Sequence, residues 1–296
     1  MRIGIDLGGS KTEIAVLDDA GTELLRRRVA TPVGDYAATL TLIATLINDA
    51  ERELKTTGSV GIGTPGAPSP ATGLMRNSNS VCLNYQPLLQ DLQRTLGREV
   101  RLANDADCFA LSEATDGAAA GAASVFGVII GTGVGGGIVI NGRLIHGPNA
   151  IAGEWGHNPL PWPQDDERPG AACYCGKRGC IETFLSGPGL SRDYAQQHQA
   201  SVNAQEIVTR SLREAPAEHA LIRYEDRLAR ALASVINVLD PEVIVLGGGL
   251  SNMERLYKNI PAQWGKWVFS DTVFTRLVRN THGDSSGVRG AAQLWT

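Results

Sequence analysis

The chain contains one short pattern twice, and this repetition constrains the fold more than any other feature. The pattern is an apolar strand, a glycine turn and a second strand. The first copy occupies residues 3–17 and turns at Gly8-Gly9, and the second occupies residues 125–140 and turns at Gly131-Thr132-Gly133. A single glycine turn is most simply a tight hairpin, whereas two in matching positions indicate an internal duplication. We therefore expect two related α/β lobes that face each other across a cleft, with a nucleotide's phosphates between the turns.

Outside these copies, apolar patterns of strands and helices alternate along the chain, which is typical of an α/β fold. The predicted helices lie near residues 36–54, 88–96, 106–114, 188–199, 204–214, 218–239 and from Gly287 to the end. The additional predicted strands are 23–29, 59–63, 100–103 and 243–246. We expect an N-terminal lobe over residues 1–115 and a larger C-terminal lobe over 116–286. The last helix, 287–296, is a candidate to pack back onto the first lobe.

The composition is that of a globular chain that can bury a sizeable core, because 43% of its 296 residues are hydrophobic and 20% are charged. The net charge of −4 comes from scattered groups. The short basic run Arg26-Arg27-Arg28 is expected to be an exposed strand end rather than a nucleic-acid patch. No segment offers the ~18 consecutive apolar residues of a membrane span, and Asp6 interrupts the first apolar stretch too early for a signal peptide. We therefore expect neither a nucleic-acid nor a membrane partner.

A histidine followed by three closely spaced cysteines is the sharpest local motif of the sequence. One imidazole and three thiolates make a tetrahedral set suited to zinc. In the zinc-binding segment 147–182, a structural zinc ion would hold the irregular stretch 147–179 in place. His146 and His282 are alternatives for the imidazole. Cys82 and Cys108 stand alone and are expected to be plain core residues. Cysteine used as a metal ligand also indicates a reducing, cytoplasmic compartment. The favoured ligands are His157, Cys173, Cys175 and Cys180.

Asn104-Asp105 follow a short, mostly apolar strand and lead into a helix. Ligands of open α/β sheets bind at the carboxyl ends of strands, so both side chains are candidates for a binding site. A lone aspartate at this position could equally be a helix cap. The helix N-terminus also stabilises the charged carboxylate, which could then accept a hydrogen bond from a substrate hydroxyl.

Three glycine-rich runs offer backbone N–H groups that can approach phosphate oxygens without a side chain in the way. They are Asp6-Leu7-Gly8-Gly9-Ser10-Lys11, Gly131-Thr132-Gly133 and Gly247-Gly248-Gly249. None has the Walker order of glycine, lysine and hydroxyl residue. Residues 133–137 are followed by a strand, where a dinucleotide fingerprint needs a helix. The runs therefore indicate phosphate contacts but neither of these two nucleotide-binding motifs.

Taken together, these residues resemble the ROK family of bacterial sugar kinases and repressors. The resemblance covers the whole chain and implies the two-lobed actin-like, hexokinase-like ATPase fold, with duplicated ribonuclease H-like lobes and a cleft active site. Six motifs in family order carry it: Asp6-Leu7-Gly8-Gly9-Ser10-Lys11, Gly63-Thr64-Pro65-Gly66, Leu102-Ala103-Asn104-Asp105-Ala106, Ile130-Gly131-Thr132-Gly133, Gly153-Glu154-Trp155-Gly156-His157 and the run from Cys173 to Glu182. Ser10 stands where the family usually has threonine, which keeps the hydroxyl. Segments 154–162 and 282–290 look most like bacterial fructokinase, which also accepts mannose.

The resemblance implies an ATP-dependent kinase in which Asp105 is the general base for the attacking hydroxyl, the one on C6 of a hexose. It implies that His157 offers one ring nitrogen to zinc and the other to a sugar hydroxyl, and that Asp6 lies by Mg²⁺ through water. The implied sugar-binding residues are Asn79, Asn104, Asp105, Glu154, His157 and Glu182. The implied nucleotide-binding residues are Asp6, Gly8, Gly9, Ser10, Lys11, Gly131, Thr132, Gly133, Gly247 and Gly248.

The favoured substrate is D-fructose, phosphorylated to fructose 6-phosphate, and the assembly implied by the resemblance is a homodimer. A glucokinase or an N-acetylhexosamine kinase of the same family is the alternative enzyme. A sugar-responsive repressor is the alternative from another class. We do not expect a repressor, because the first kinase strand starts at Ile3 and leaves no room for a preceding winged helix. A zinc-dependent interaction module would leave Asp105 and the paired glycine turns without a role.

Overall fold

The computed structural model describes residues 1–295, in which strands and helices alternate as the sequence predicts. The strands are β1 (Arg2–Leu7), β2 (Lys11–Leu17), β3 (Glu23–Ala30), β4 (Ser59–Thr64), β5 (Ala67–Pro68), β6 (Met75–Arg76), β7 (Val100–Asn104), β8 (Ser124–Ile130), β9 (Val134–Ile140), β10 (Arg143–Leu144), β11 (Val243–Gly247) and β12 (Arg276–Arg279). The helices are α1 (Tyr36–Leu54), α2 (Leu88–Leu96), α3 (Asp105–Thr115), α4 (Ile181–Leu185), α5 (Gly187–His198), α6 (Ala204–Arg210), α7 (Ala215–Leu239), α8 (Arg255–Asn259), α9 (Pro261–Trp264) and α10 (Ser286–Gln293). None of these helices is both long enough and apolar enough to span a membrane. Thr296, predicted to end the last helix, lies outside the described residues.

The longer strands form two five-stranded sheets with the same connectivity, which supports the predicted duplication. The first sheet has the order β3-β2-β1-β4-β7, and the second has the order β10-β9-β8-β11-β12. In each sheet, three strands that are consecutive in the chain lie side by side. Two later strands, β4 and β7 in the first sheet and β11 and β12 in the second, extend the sheet beyond β1 or β8. These later strands pair in parallel with their neighbours. Both sheets are therefore mixed, and β5 and β6 form a small separate pair.

The turn between β9 and β10 shows how the sequence sets the local geometry. Asn141 and Gly142 have positive φ angles of 50° and 73°. A two-residue type I′ hairpin needs positive φ at both central positions, which asparagine and glycine tolerate best. The predicted hairpin at Asn141-Gly142 is confirmed.

Contacts along the chain divide it into two compact units. The first unit contains residues 1–121, residues 137–152 and the chain from Thr281 onward, and the second contains residues 122–136 and 153–280. Segment 137–152 groups with the first unit because it packs on α3. A β-carbon at Gly137 would lie only 2.7 Å from the carbonyl oxygen of Ala106 in α3. The sequence-based boundary between residues 115 and 116 stays a prediction.

One face of the first sheet packs on α1 and α2. Ile3 and Ile5 of β1 and Ile62 of β4 are fully buried there, in one apolar cluster with Ile43 of α1 and Leu92 of α2. Side chains alternate along a strand, so the residues between these isoleucines face the other side of the sheet. That side is lined by glycine, which lets another element come close.

The last helix, α10, packs against this glycine face at very short range. A β-carbon at Gly4 of β1 would lie 2.0 Å from the Val288 carbonyl oxygen, and Gly61 of β4 is packed in the same way. Gly290 of α10 faces α3, where a β-carbon would lie 1.7 Å from the Cys108 carbonyl oxygen. Because each of these positions lacks a side chain, the backbone of α10 can touch both the sheet and α3.

A buried carboxylate joins α3 to the segment before α10. Glu113 is fully buried, and it accepts hydrogen bonds from the Ala118 N–H at 2.9 Å, the Thr281 N–H at 3.0 Å and the Ser286 hydroxyl at 2.8 Å. Removing such donors would leave a buried charge without partners, which costs several kcal/mol. Glu113 therefore fixes α3 and α10 to each other.

In the second unit, a buried ion cluster anchors the irregular segment that was expected to depend on zinc. Glu167 pairs with Arg227 and with Arg230 of α7, each at 2.7 Å. The fully buried Arg230 guanidinium also donates to the carbonyl oxygens of Pro161 and Trp162, at 3.0 and 2.8 Å. Burial opposes ionisation of Glu167, but hydrogen bonds from Arg230 and Arg227 prevail and lower its pKa to about 2. The segment before the cysteines thus has its own support on α7.

The three consecutive arginines of β3 are partnered by acidic side chains of the first unit. Arg26 and Arg28 both pair with Glu13, whose carboxylate is buried, and Arg27 pairs with Glu53. The arginines are exposed as expected, but they lie inside β3 and not at a strand end, and neighbouring carboxylates largely offset their charge.

Candidate functional site

Three parallel strands of the first unit end at the same edge of their sheet. In the register, Asp6 of β1 pairs with Gly63 of β4, and Thr64 of β4 pairs with Asn104 of β7. The carboxyl ends of these strands therefore bring Asp6, the turn after β4 and the start of α3 to one edge, which is where ligands of open α/β sheets bind. The Asn104 side-chain amide donates to the Gly66 carbonyl oxygen at 3.4 Å, which ties two of these strand ends together.

Asp105 occupies the first position of α3, and Asn104 is the N-cap residue. The Ala106 N–H donates to Asn104 Oδ1 at 2.9 Å and to Asp105 Oδ1 at 2.8 Å. Asn104 thus fills the capping role that the sequence left open for Asp105. Asp105 is exposed, and a helix N-terminus favours negative charge. The carboxylate is therefore placed to accept a hydrogen bond from a ligand hydroxyl.

The carboxylate of Asp6 lies in an unfavourable electrostatic environment. Burial, followed by the negative charges of Asp105 and Glu13, raises the pKa of Asp6 from 3.8 to about 7, against the opposing charge of Arg28. Gly287 at the start of α10 leaves room beside it, since a β-carbon there would lie 3.0 Å from Asp6 Oδ2. Carboxylate oxygens gathered in this way have the donor chemistry that Mg²⁺ prefers, and a cation would relieve their repulsion.

The turn between β1 and β2 borders a cavity of about 250 Å³ in the first unit. Its wall contains Gly8 and Gly9, predicted to contact the nucleotide, and Asn79, predicted to contact the sugar. Ser80 also lines it, and its buried hydroxyl has no hydrogen-bond partner within residues 1–295. A β-carbon at Gly9 would lie 3.2 Å from this hydroxyl oxygen. Ser80 is therefore a candidate ligand contact that no sequence motif marks, whereas Ser10 and Lys11 are exposed at the turn.

The glycine runs of the second unit lie at the ends of the adjacent parallel strands β8 and β11. Gly248 has a φ of 81°, and a β-carbon there would lie 2.5 Å from the Ile130 carbonyl oxygen, so this position needs glycine. The Gly187 N–H at the start of α5 donates to the Gly131 carbonyl oxygen at 2.7 Å. The turn at residues 131–133, the run at residues 247–248 and the first turn of α5 thus share one edge. Their backbone N–H groups can approach a phosphate there.

His157, Cys173, Cys175 and Cys180 come together in the second unit, with all four ligand atoms within 4.8 Å of one another. His157 Nδ1 lies 3.5 Å from Cys173 Sγ, and the sulfur atoms of Cys175 and Cys180 are 3.6 Å apart. Ligand atoms around a tetrahedral zinc ion are about 3.5–3.8 Å apart, so the four side chains fit one ion. Burial raises the pKa of Cys180 to about 12 and also raises that of Cys173, so a metal would have to displace thiol protons.

The second ring nitrogen of His157 faces a tyrosine. His157 Nε2 and the Tyr174 hydroxyl oxygen are 2.9 Å apart, and the two rings meet edge to face with centroids 5.0 Å apart. Burial, followed by the negative charges of Glu182 and Glu154, raises the pKa of Tyr174 to about 12. Tyr174 therefore lies near three side chains of this unit that are predicted to bind the sugar, those of His157, Glu154 and Glu182. The sequence interpretation missed Tyr174, although its place between two cysteine ligands was a signal.

The glycine turn after β8 fixes the side chain of Glu182. The Val134 N–H donates to Glu182 Oε2 at 3.0 Å, and a β-carbon at Gly133 would lie 2.7 Å from the same oxygen. A side chain at Gly133, predicted to contact the nucleotide, would therefore push the Glu182 carboxylate out of this position.

The alternative histidines lie outside the cysteine cluster. His146 Nδ1 is 3.8 Å from the Asp107 carboxylate, and His282 pairs with another carboxylate of the first unit. Of the isolated cysteines, Cys108 is fully buried as expected. Cys82 is only half-buried, because it stands at the rim of the apolar cluster and borders the cavity.

The profile of the ROK family matches residues 2–296, and the chain therefore belongs to the ROK family. Solved ROK proteins have the two-lobed, hexokinase-like α/β fold, and the mixed sheets of this chain match it. The predicted fold class is confirmed.

Three relatives illustrate the range of the family. An N-acetyl-D-glucosamine kinase of Yersinia pseudotuberculosis is 40% identical over 299 residues, which cover 99% of this chain and 98% of that protein. A ROK hexokinase from Thermus thermophilus is 31% identical with a TM-score of 0.87, and the match covers 98% and 96% of the two chains. A ROK glucokinase from Streptomyces griseus, solved with glucose and AMPPNP, is 25% identical with a TM-score of 0.78 and coverage of 99% and 98%. These comparisons support the N-acetylhexosamine kinase alternative better than the expected fructokinase.

Asp6→Asn tests the electrostatics of the strand edge. The folded protein holds a proton on Asp6 that the unfolded chain releases between the unfolded pKa of 3.8 and the folded pKa of about 7. The contribution of this proton to stability is therefore fully present below pH 3.8 and is lost as the pH rises through about 7. In magnesium-free buffer, the melting temperature of D6N should rise relative to that of the wild type by roughly 2–8 °C between pH 5 and pH 8. Differential scanning fluorimetry measures this, with the exposed Asp271→Asn as the control, and a difference independent of pH would contradict it.

Proposed function

We propose that this protein is an ATP-dependent sugar kinase that converts N-acetyl-D-glucosamine to its 6-phosphate. The observation that carries the proposal is the 40% identity with an N-acetyl-D-glucosamine kinase along almost the full length of both chains. The Streptomyces griseus relative was solved with a hexose and an adenine nucleotide, which supports the same two ligand classes here. Each unit supplies fitting chemistry, because the first presents a carboxylate at a helix start and both present glycine turns at strand ends.

Asp105 is the general base in this proposal. In phosphoryl transfer the protein mainly positions an in-line attack and stabilises charge on the γ-phosphate. The exposed Asp105 carboxylate accepts the proton of the sugar 6-hydroxyl, while Asn104 caps α3 and keeps the helix start in place. The other proposed sugar contacts are Asn79, Asn104, Glu154, His157 and Glu182.

The glycine turns bind the nucleotide in this proposal. Backbone N–H groups at small residues can approach the phosphate oxygens, and the exposed Lys11 can add positive charge. Mg²⁺, when bound, neutralises charge on the phosphates, and Asp6 is the carboxylate that would hold it through water. The proposed nucleotide contacts are Gly8, Gly9, Ser10, Lys11, Gly131, Thr132, Gly133, Gly247 and Gly248.

Asp105→Asn separates a catalytic base from a structural carboxylate. Asparagine keeps the size of the side chain and its hydrogen-bonding oxygen but cannot take a proton, so kcat should fall by about 10²–10⁴-fold. The KM for the sugar should change far less, because the amide can still hydrogen-bond the hydroxyl. Steady-state kinetics and thermal melts should be compared with those of Asp35→Asn, which changes the N-cap carboxylate of α1. Near-normal kcat for D105N would exclude Asp105 as the base.

One structural zinc ion is part of the proposal. His157, Cys173, Cys175 and Cys180 would hold it, and it would cross-link the cysteine loop to the residues before α4. The Glu167 ion cluster holds the preceding segment independently, so we expect zinc loss to disorder the cysteine loop and His157 rather than the whole unit. The metal would supply no chemistry to phosphoryl transfer and would act through the position of His157.

Elemental analysis of protein purified without chelator should find one zinc per chain. Cys175→Ser should lose most of the zinc and lower the melting temperature by roughly 5–10 °C, because a structural zinc site contributes folding free energy. Cys82→Ser is the matched control. Cys82 lies outside the cluster, so the C82S protein should keep its zinc. A wild-type protein without zinc, together with an unchanged melting temperature for C175S, would refute the site.

D-Fructose is the second candidate substrate, on one specific observation. Segment 154–162, which contains the proposed sugar contacts Glu154 and His157, looks most like bacterial fructokinase. This local likeness competes with the full-length identity to N-acetyl-D-glucosamine kinases. N-acetyl-D-glucosamine is an aldose with an acetamido group on C2, whereas C2 of the ketose fructose is its anomeric carbon, so a substrate panel separates the two candidates.

The panel should compare N-acetyl-D-glucosamine, fructose, mannose and glucose at fixed Mg·ATP with coupled detection of ADP. We expect kcat/KM to be at least about 10-fold higher for N-acetyl-D-glucosamine, because a site that pairs a substrate polar group rejects analogues that lack it. The D105N variant, assayed under the same conditions, measures the ADP that forms by ATP hydrolysis without sugar phosphorylation. A preference for fructose would replace the proposed substrate, and turnover of none of the four sugars would favour the sugar-responsive regulator.

Two expectations about the protein's surroundings stay predictions. The homodimer rests on family resemblance alone, and light scattering would test it. The cytoplasmic location rests on the use of cysteines as metal ligands.

A further inference from the structure

Tyr174 occupies the position on His157 that the proposed function gives to a sugar hydroxyl. His157 Nδ1 faces Cys173 Sγ at 3.5 Å, so this nitrogen belongs to the cysteine cluster. When Nδ1 is the unprotonated nitrogen that faces the cysteines, the neutral imidazole carries its proton on Nε2. The Nε2–H group can then donate a hydrogen bond to an oxygen. In the structure that oxygen is the Tyr174 hydroxyl, at 2.9 Å.

The backbone beside Tyr174 is fixed, whereas its side chain can move. The Cys173 N–H donates to the Lys177 carbonyl oxygen at 2.8 Å, and the Gly176 N–H donates to the Cys173 carbonyl oxygen at 3.0 Å. These bonds close the tight loop that carries the tyrosine. The Tyr174 side chain is 75% exposed and touches His157 edge to face. It can therefore rotate away without opening a buried core.

The Tyr174 hydroxyl matches a sugar hydroxyl in chemistry. A phenol is neutral near neutral pH, so the Tyr174 hydroxyl can both donate and accept a hydrogen bond. A neutral hydroxyl between an imidazole N–H and nearby carboxylates satisfies the same donor and acceptor pattern as a hexose hydroxyl.

We propose that Tyr174 is a positioning residue that competes with the sugar for His157. Its hydroxyl oxygen accepts a hydrogen bond from the Nε2–H group in the sugar-free protein and turns to water when a sugar hydroxyl takes its place. The inference rests on the proposed function, since it requires a hexose at His157. Tyr174 thereby keeps the imidazole in the orientation that the sugar needs, at the cost of part of the sugar's affinity.

Tyr174→Phe removes the competing hydroxyl and keeps the ring. Titration calorimetry without nucleotide should give a sugar Kd about 2- to 10-fold lower than that of the wild type, because one modest hydrogen bond no longer has to be displaced. Sugar binding should also give the wild type a tyrosine ultraviolet difference band, as the Tyr174 hydroxyl moves from His157 to water. Y174F should lack this band. Tyr85→Phe, at another exposed tyrosine, should keep both the band and the wild-type Kd.

The outcomes separate the inference from the proposed function. Unchanged or weaker sugar binding by Y174F would overturn the competition, and weaker binding would make Tyr174 a sugar contact. A fall in the zinc content of Y174F, measured in the same samples, would assign Tyr174 to the metal site and would also overturn it. Failure of the wild type to bind any hexose of the panel would overturn the proposed function, and the role of Tyr174 with it.

Discussion

The parallel pairing of β1, β4 and β7 places three strand ends at one edge of the first sheet, and the chemistry of this unit depends on that alignment. The ladder sets Asp6 opposite Gly63 and Thr64 opposite Asn104. Packing maintains the register, because a slip by one residue would turn Ile3 and its neighbours toward α10, where only glycine fits. The same alignment brings carboxylates near one another, and the raised pKa of Asp6 is the electrostatic result.

Features that depend on short stretches of sequence were predictable. Helices α1 and α2 have the predicted bounds, because apolar periodicity is a local signal. The internal duplication was predicted from two matching strand and glycine patterns, and the matching strand orders of the two sheets support it. The gathering of the three cysteines was predicted from their spacing, since a tight loop limits where neighbouring thiols can lie. His157 was favoured over His146 and His282 because it lies closest before the cysteines, and the structure places it in the cluster. Asp105 was harder, because an aspartate after a strand is compatible with both a helix cap and a catalytic base. The structure places Asn104 at the N-cap position of α3 and Asp105 at its first helical residue.

Features that join distant parts of the chain were not predictable. Glu167 meets Arg227 and Arg230, which are separated from it by 60 and 63 positions, and charged residues so far apart give no pattern that indicates a pair. The segment before the cysteines was therefore expected to be held in place by zinc, with no sign of this ion cluster. The contact of Tyr174 with His157 likewise depends on how the cysteine loop folds. The substrate could not be settled because small changes in side-chain position decide which hexose a site accepts.

The packing of α10 also determines when the first unit can finish folding during synthesis. The first unit draws on three separate stretches of chain, and the glycine face of its sheet stays uncovered until the last of them has left the ribosome. Until then Glu113 lacks its donors from Thr281 and Ser286, so α3 cannot reach its final packing. The helix that carries Asp105 thus reaches its final packing only after residues 281–286 have been made. A growing chain cannot present a finished Asp105 site, and a chain interrupted before residue 281 exposes a sheet face that quality-control proteases and chaperones can recognise.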